Sequence, residues 1–136
     1  MKESGNLSVW HGSSHKRKPS GGRRRAHRKK RRFERGSFPA ETSLGERRLK
    51  KVRGRGGILK IHALSENSAN VYDSKKGKAQ NVKILRVIRN PASVDYDRRG
   101  IITRGTILET ELGHARVTSR PGQHGMINAV LVPESS

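Results

Sequence analysis

The chain has 136 residues, no cysteine, and 31 Lys and Arg against 11 Asp and Glu, a formal net charge of +20. Disulfides, thiolate metal sites and cysteine nucleophiles are excluded, and a hydrophobic share of 30% excludes a core that involves the whole chain. A compact body carrying this charge repels itself, which points to a polyanionic partner, and nucleic acid is the common one.

An anionic membrane surface is the competing polyanion. It normally engages an amphipathic or apolar anchor, and no stretch here is long and apolar enough to span a bilayer. Residues 1–12 lack a basic region followed by an apolar run, so no signal peptide is visible and the cytoplasm is the expected compartment.

Charge divides the sequence. Over residues 1–60, 20 Lys and Arg stand against 4 Asp and Glu, a net of +16; over residues 61–136 the counts are 11 and 7, a net of +4. The expected organisation is a basic RNA-binding extension at residues 1–56 and a β-barrel domain at residues 57–136. Over residues 13–35 of the extension the apolar side chains are only Pro19, Ala26 and Phe33. Such a segment buries too little apolar area to offset its ordering entropy and is expected to be extended and mobile without a partner. Residues 23–35 contain no Gly or Pro, so they either stay irregular or form a short helix once phosphates neutralise them. Gly21-Gly22, Gly36, Pro39, Gly45 and the glycines of residues 54–57 punctuate the extension into short pieces.

The second segment carries strand patterns. Leu59, Ile61 and Ala63 alternate with Lys60 and His62, the period of a half-buried strand. Residues 69–72 form a second candidate. Residues 74–78 form a turn in which Gly77 supplies a positive φ. The strongest apolar run covers residues 82–88; its alternation changes phase at Ile84-Leu85, which predicts a bulge or burial on both faces. Asn90-Pro91 ends it, and Ile101-Ile102 and residues 106–111 follow. A hairpin is predicted around Gly113. With Gly113-His114 central, Glu111 faces Arg116; with Leu112-Gly113 central, Glu109 faces Arg116. Residues 120–125 are expected to be a loop and residues 126–132 a last strand. Five to seven short strands with Gly-rich connections argue for a mainly β fold class, a small antiparallel β-barrel or sandwich, with a long basic, largely irregular N-terminal extension.

The basic clusters carry the binding chemistry. They are Lys16, Arg17 and Lys18; Arg23, Arg24 and Arg25; Arg28, Lys29, Lys30, Arg31, Arg32 and Arg35; Arg47 and Arg48; Lys50 and Lys51; and Arg53 with Arg55. Arginine dominates, and its planar fork binds phosphate oxygens bidentately and stacks on bases. Glycines allow close approach of the backbone to phosphates. Trp10, Phe33 and Phe38 lie among the charges; such rings either stack on unpaired bases, which favours folded RNA over plain duplex, or anchor the extension to the β-domain.

Other residues offer no competing chemistry. His11, His15, His27, His62, His114 and His124 form no ligand pair at helical or strand spacing, so no metal site is expected. His15 and His27 fit polar RNA contacts, His62 a strand surface and His114 a turn. Glu109 and Glu111 share a strand face, but Arg116 lies opposite, which favours an ion pair over paired-carboxylate catalysis. Asp95 and Asp97 beside Arg98-Arg99 suggest a solvated loop, and Gly54-Arg55-Gly56-Gly57 is too short for a nucleotide-binding loop. No catalytic residues, cofactor or small-molecule substrate are expected.

Two stretches carry a family resemblance. One runs from Val9-Trp10-His11-Gly12 through Arg17-Lys18-Pro19-Ser20-Gly21-Gly22-Arg23 and Arg28-Lys29-Lys30-Arg31 to Val52-Arg53-Gly54-Arg55-Gly56-Gly57. The other runs from Ile101-Ile102-Thr103-Arg104-Gly105 through Glu109-Thr110-Glu111-Leu112-Gly113-His114-Ala115-Arg116-Val117-Thr118-Ser119-Arg120-Pro121-Gly122-Gln123 to Asn128-Ala129-Val130-Leu131. Together they resemble the eighth small-subunit ribosomal protein of the archaeal and eukaryotic (e-type) series, in its shorter archaeal form. The resemblance covers nearly all of residues 9–132. It implies a β-barrel body, a basic extension buried in small-subunit rRNA, neighbouring small-subunit proteins as partners, and no catalysis. Carried over by motif position, it implies RNA contacts at Arg17, Lys18, Arg23, Arg28, Lys29, Lys30, Arg31, Arg53 and Arg55, with Arg104, Arg116 and Arg120 on the body. Residues 1–8 look like an extra leader. His124 stands where the family suggests an acid and Gly100 where it suggests Asn, and residues 66–78 match poorly, all of which bears on local loop contacts.

The expected mechanism is a rigid β-platform with an electrostatic clamp that folds on rRNA and lets RNA helices approach each other. Specificity is expected from RNA shape, because the arm has few groups suited to reading base edges. The rival from another class is an architectural protein that compacts DNA or RNA outside the ribosome.

Overall fold

The computed structural model describes residues 9–10, 17–25, 27–29 and 31–132. Lys16, Lys30 and the leader at residues 1–8 lie outside them. The chain forms two compact units, residues 1–39 and 40–136. Residues 43–53 supply strands that pair within the second unit.

In the first unit, β1 (Val9–Trp10) pairs antiparallel with β2 (Arg35–Gly36). The described residues between 23 and 35 contain no α-helix, only a 3-10 turn at Arg32–Glu34. Five cations in a row repel along a helix face, and no apolar stripe is present to offset them.

The second unit combines two sheets. β3 (Ser43–Leu44) and β4 (Arg48–Arg53) flank β5 (Leu59–Glu66), β3 parallel and β4 antiparallel to it. β6 (Ser68–Asp73), β7 (Lys78–Arg89), β8 (Ile107–Thr110), β9 (Gly113–Val117) and β10 (Asn128–Leu131) close a barrel in the order β10-β6-β7-β8-β9. The barrel is antiparallel except at one seam, where β10 runs parallel to β6. One parallel pair is unavoidable, because the directions of five strands cannot alternate all the way round a closed ring.

Inward positions alternate along each strand, as a half-buried sheet requires. Val71, Leu108 and Ala115 are fully buried, and Ala69, Ala129, Val117, Ile102 and Ile127 join them. Five strands enclose a narrow space, so alanines fill it where larger side chains do not fit. The bulge expected in the 82–88 run exists: pairing of β7 with β8 shifts register between Ile84 and Arg86 and again between Val87 and Arg89. Gly77 takes φ 64° at the β6–β7 turn, as expected.

Several local expectations are corrected. The hairpin pairs Thr110 with Gly113 and Glu109 with His114, so Glu111-Leu112 is central, Arg116 faces Ile107, and His114 lies in β9. Glu109 instead binds Arg86 of β7. Ile101-Ile102 is a buried connection and not a strand; Ile102 N–H donates to the Thr42 carbonyl at 2.7 Å. Residues 94–98 form a short helix, α1 (Val94–Arg98), whose Ser93 side chain caps the Asp95 N–H. Residues 121–124 form one helical turn, α2 (Pro121–His124), opened by Pro121 and closed by Gly125 at φ 70°. A Cβ on Gly125 would lie 2.4 Å from Ile61 Cγ2, so glycine is required both for the left-handed backbone and for the approach of α2 to β5.

Buried polar groups find partners. Asn90 donates to the Ile101 carbonyl at 2.6 Å and accepts from Ala92 N–H and the Thr103 hydroxyl. Thr42 donates to the Ala63 carbonyl at 2.6 Å. These bonds fix the loops over the barrel without apolar area.

Candidate nucleic-acid interface

The first unit presents cations on small, polar turns. Residues 17–23 form a tight reversal: Arg17 bridges Arg23, Gly21 N–H donates to the Lys18 carbonyl at 2.9 Å, and Lys18 N–H donates to Gly22 at 2.9 Å. Pro19 presets the first corner and Gly21 takes φ 81°. The Arg17 guanidinium also donates to the Gly21 carbonyl at 3.0 Å. Arg17, Lys18, Arg23, Arg24 and Arg25 are all exposed.

The next cluster is organised by its one acid. Arg28 binds Glu34 through both guanidinium nitrogens, at 2.8 and 2.7 Å. Glu34 also accepts the Arg31 N–H at 3.2 Å, and the Arg28 guanidinium lies 5.4 Å from the Phe33 ring centroid. The hydrogen bond from Arg28 holds the Glu34 carboxyl below the usual carboxylate range and raises the guanidinium in return. Lys29, Arg31 and Arg32 surround an open recess of about 930 Å³ beside this group. Arg28 is thus internally neutralised, whereas Lys29, Arg31, Arg32 and Arg35 have no carboxylate partner among the described residues. Phe33 and Phe38 are exposed.

In the second unit, β4 and β5 form a basic ribbon. All six residues of β4 are exposed. Leu49, Lys51 and Arg53 register with Ala63, Ile61 and Leu59; Lys50 and Val52 register with His62 and Lys60. Register partners share a face, so the ribbon shows Lys50 with Lys60 on one face and Lys51 with Arg53 on the other. The tip is closed by Gly54 N–H to the Ile58 carbonyl at 2.6 Å, and Arg55 projects from a 3-10 turn completed by Gly56 and Gly57 at φ 74° and 80°. Ile58 and Leu59 are exposed there between cations. The base of the ribbon is held by α2: His62 Nδ1 hydrogen-bonds the Gly122 carbonyl.

Arg47 has a different place. Its Nε lies 3.3 Å from Glu66, whose side chain is only 5% exposed, so it neutralises a nearly buried carboxylate. Arg48, Lys50, Lys51, Arg53, Arg55, Arg104, Arg116 and Arg120 lack such partners among the described residues. Arg104 sits in the turn before β8, Arg116 on the outer face of β9 and Arg120 at the start of α2. Elsewhere charges close on each other: Arg99 binds Glu41 and Asp95, and the Arg99 and Arg98 hydrogen bonds hold the Asp95 carboxyl below its ordinary range.

The structure adds residues that clustering could not reveal. Lys60 and Lys83 stand alone between apolar neighbours in sequence and Arg89 follows an apolar run, and all three are exposed on their strands. On the outer barrel face Asn81, Asn70 and Asn128 align across three strands: Asn81 Nδ2 donates to Asn70 Oδ1 at 2.8 Å, and Asn70 Nδ2 donates to Asn128 Oδ1 at 3.1 Å. Only strand register brings them together. Among the described residues no cluster of three His, Asp or Glu is placed to hold a metal ion, and no helix is long and apolar enough to cross a membrane.

A family model described as Ribosomal protein S8e matches residues 11–132. The chain is 51% identical over 119 residues to small ribosomal subunit protein eS8 of Sulfurisphaera tokodaii, covering 87% of this chain and 93% of that one. It is 51% identical over 124 residues to the protein of the same name from Methanocorpusculum labreanum, covering 91% and 98%. A third, from Methanobrevibacter smithii, is 51% identical over 116 residues, covering 85% and 93%.

Proposed function

Because the chain belongs to the ribosomal protein S8e family, we propose that it is a structural constituent of the small ribosomal subunit that binds and stabilises folded small-subunit rRNA. Family membership carries a structural, non-enzymatic role in the ribonucleoprotein. The arm cations and the β4–β5 ribbon supply the RNA contacts, the barrel supplies the platform, and neighbouring small-subunit proteins complete the surroundings in the cytoplasm.

The observation that supports this most is where positive charge is left without a carboxylate. Ion pairs consume Arg47, Arg98 and Arg99 on the body. The cations of the 17–25 turn, of β4 and of the ribbon tip stay unpaired among the described residues and exposed. Phosphates neutralise such groups and release condensed counterions. Because β4 is held in a sheet while its side chains point to solvent on both faces, it can bridge two phosphate strands. That is how a small basic protein brings RNA helices together.

Equilibrium binding to small-subunit rRNA fragments and to duplex DNA of equal length, across a salt series, tests this. Tighter binding to structured rRNA with a steep salt dependence is expected. Equal affinity for both, or loss of the endogenous protein from small subunits at low-salt sedimentation, would favour a non-ribosomal architectural protein.

A further inference from the structure

We propose that the outer face of β10, β6 and β7 is a nucleobase-reading platform for a single-stranded RNA segment. This rests on the ribosomal RNA-binding reading above and gives it a site for base edges.

The platform follows from register. Asn128, Asn70 and Asn81 occupy one row across the three strands, and Val130, Tyr72 and Ala79 occupy the next outward row. Arg116 extends the second row, opposite Val130. A polar amide row thus lies one pleat away from an exposed tyrosine, in a row that ends on an arginine two strands further on, beyond Val130. Tyr72 is 43% exposed.

Asparagine is disfavoured in strands, and hydrogen bonds between exposed amides add little, since water competes for both partners. Three aligned asparagines on a solvent face are therefore poorly accounted for by stability. Their chemistry suits recognition. Asn70 is engaged on both sides, which fixes the row, whereas Asn81 Oδ1 and Asn128 Nδ2 have no partner among the described residues. The ends thus present an acceptor and a donor about two strand spacings apart, roughly 10 Å. Turning all three amides over keeps both internal bonds and exchanges the ends. Such groups pair with the edges of splayed-out bases, as asparagine does with adenine.

The surroundings favour RNA over a protein ligand. The outward residues of β6, β10 and the first half of β7 are Ser68, Asn70, Tyr72, Asn128, Val130, Ala79, Asn81 and Lys83, with no acid among them. Lys83, opposite Ser68, and Arg116 bracket the face with positive charge for a backbone. Tyr72 offers a ring on which a base stacks.

The test uses the full chain and single-stranded oligomers of A, C or U, about twelve nucleotides long, together with an RNA duplex of equal length. The wild type is expected to prefer one homopolymer by about tenfold. Asn70→Thr with Asn128→Thr should reduce that preference to within about twofold. Threonine suits strands, so the melting temperature should hold or rise, which separates recognition from folding. Tyr72→Leu should weaken all single strands about tenfold and leave the slope of affinity against salt unchanged. Equal binding of the three homopolymers by the wild type, or a preference that survives the double variant, overturns the platform. Binding that depends on salt but not on base overturns the platform alone; base preference without salt dependence upholds it and overturns the charge-based reading.

Discussion

The two units of the chain are held by different forces. In residues 17–39 the described order comes from turns and polar contacts: a proline–glycine reversal, an Arg28–Glu34 pair and one 3-10 turn, with nearly every side chain exposed. In residues 40–136 it comes from a closed barrel whose core residues are 8% exposed or less. β4 is the intermediate case, a backbone locked into a sheet with all six side chains in solvent. The contrast teaches that this protein places charge where the backbone is ordered without apolar burial around it. The ribbon presents its cations at a fixed register.

The sharpest break of that contrast is a cavity in the barrel. Leu108→Ala should lower stability by about 3–5 kcal/mol, read as a lower denaturant midpoint, while the protein that remains folded keeps the salt slope of RNA binding. The converse is Lys29→Ala with Arg31→Ala and Arg32→Ala. It should weaken rRNA binding roughly a hundredfold at about 0.15 M salt and reduce the salt slope by about 2–3, with the body's midpoint unmoved. Arg28→Ala alone should change the slope by less than one of these residues does, because Glu34 already neutralises it.

Two glycines refine the comparison. Gly125→Ala strains a left-handed residue and drives its Cβ into Ile61, so the body should lose about 1–3 kcal/mol. Gly21→Ala has the same backbone sign but open space around it, and the body's midpoint should not change. The smallest effect is with pH. The folded Glu34 carboxyl is lowered by Arg28, so the pair's contribution is fully present above the ordinary Glu range and is lost as pH falls through the lowered value. Proton NMR of the Phe33 ring should show a change there, below about pH 4.3, while the core methyl signals of Leu108 and Val71 stay in place.

Much of the barrel was legible because burial writes itself into alternation, as in the 82–88 run, where Val82 and Ile84 are buried; Leu59, Ile61 and Ala63 also lie in a strand, but only Ala63 is buried, so that alternation marked the strand and not its burial. β4 was not. Arg-Leu-Lys-Lys-Val-Arg has only two apolar residues, and an edge strand exposed on both faces leaves no period to find. α2 escaped because one turn of Pro-Gly-Gln-His carries no helical stripe, only a cap. The basic clusters were legible as charge. Their neutralisation was not, because Glu66 meets Arg47 only once the sheet has formed. The asparagine row was hidden for the same reason; Asn70 and Asn128 stand 58 positions apart.

That separation also orders the folding of the protein in time. Among the described residues the barrel's one parallel seam joins β6 to its last strand in chain order, so closure waits for a long-range encounter that local hairpins cannot supply. The arm, the ribbon and the β7–β8–β9 meander can all exist before β10 arrives. The seam should therefore be the last set of amides to gain protection from hydrogen exchange as the chain refolds.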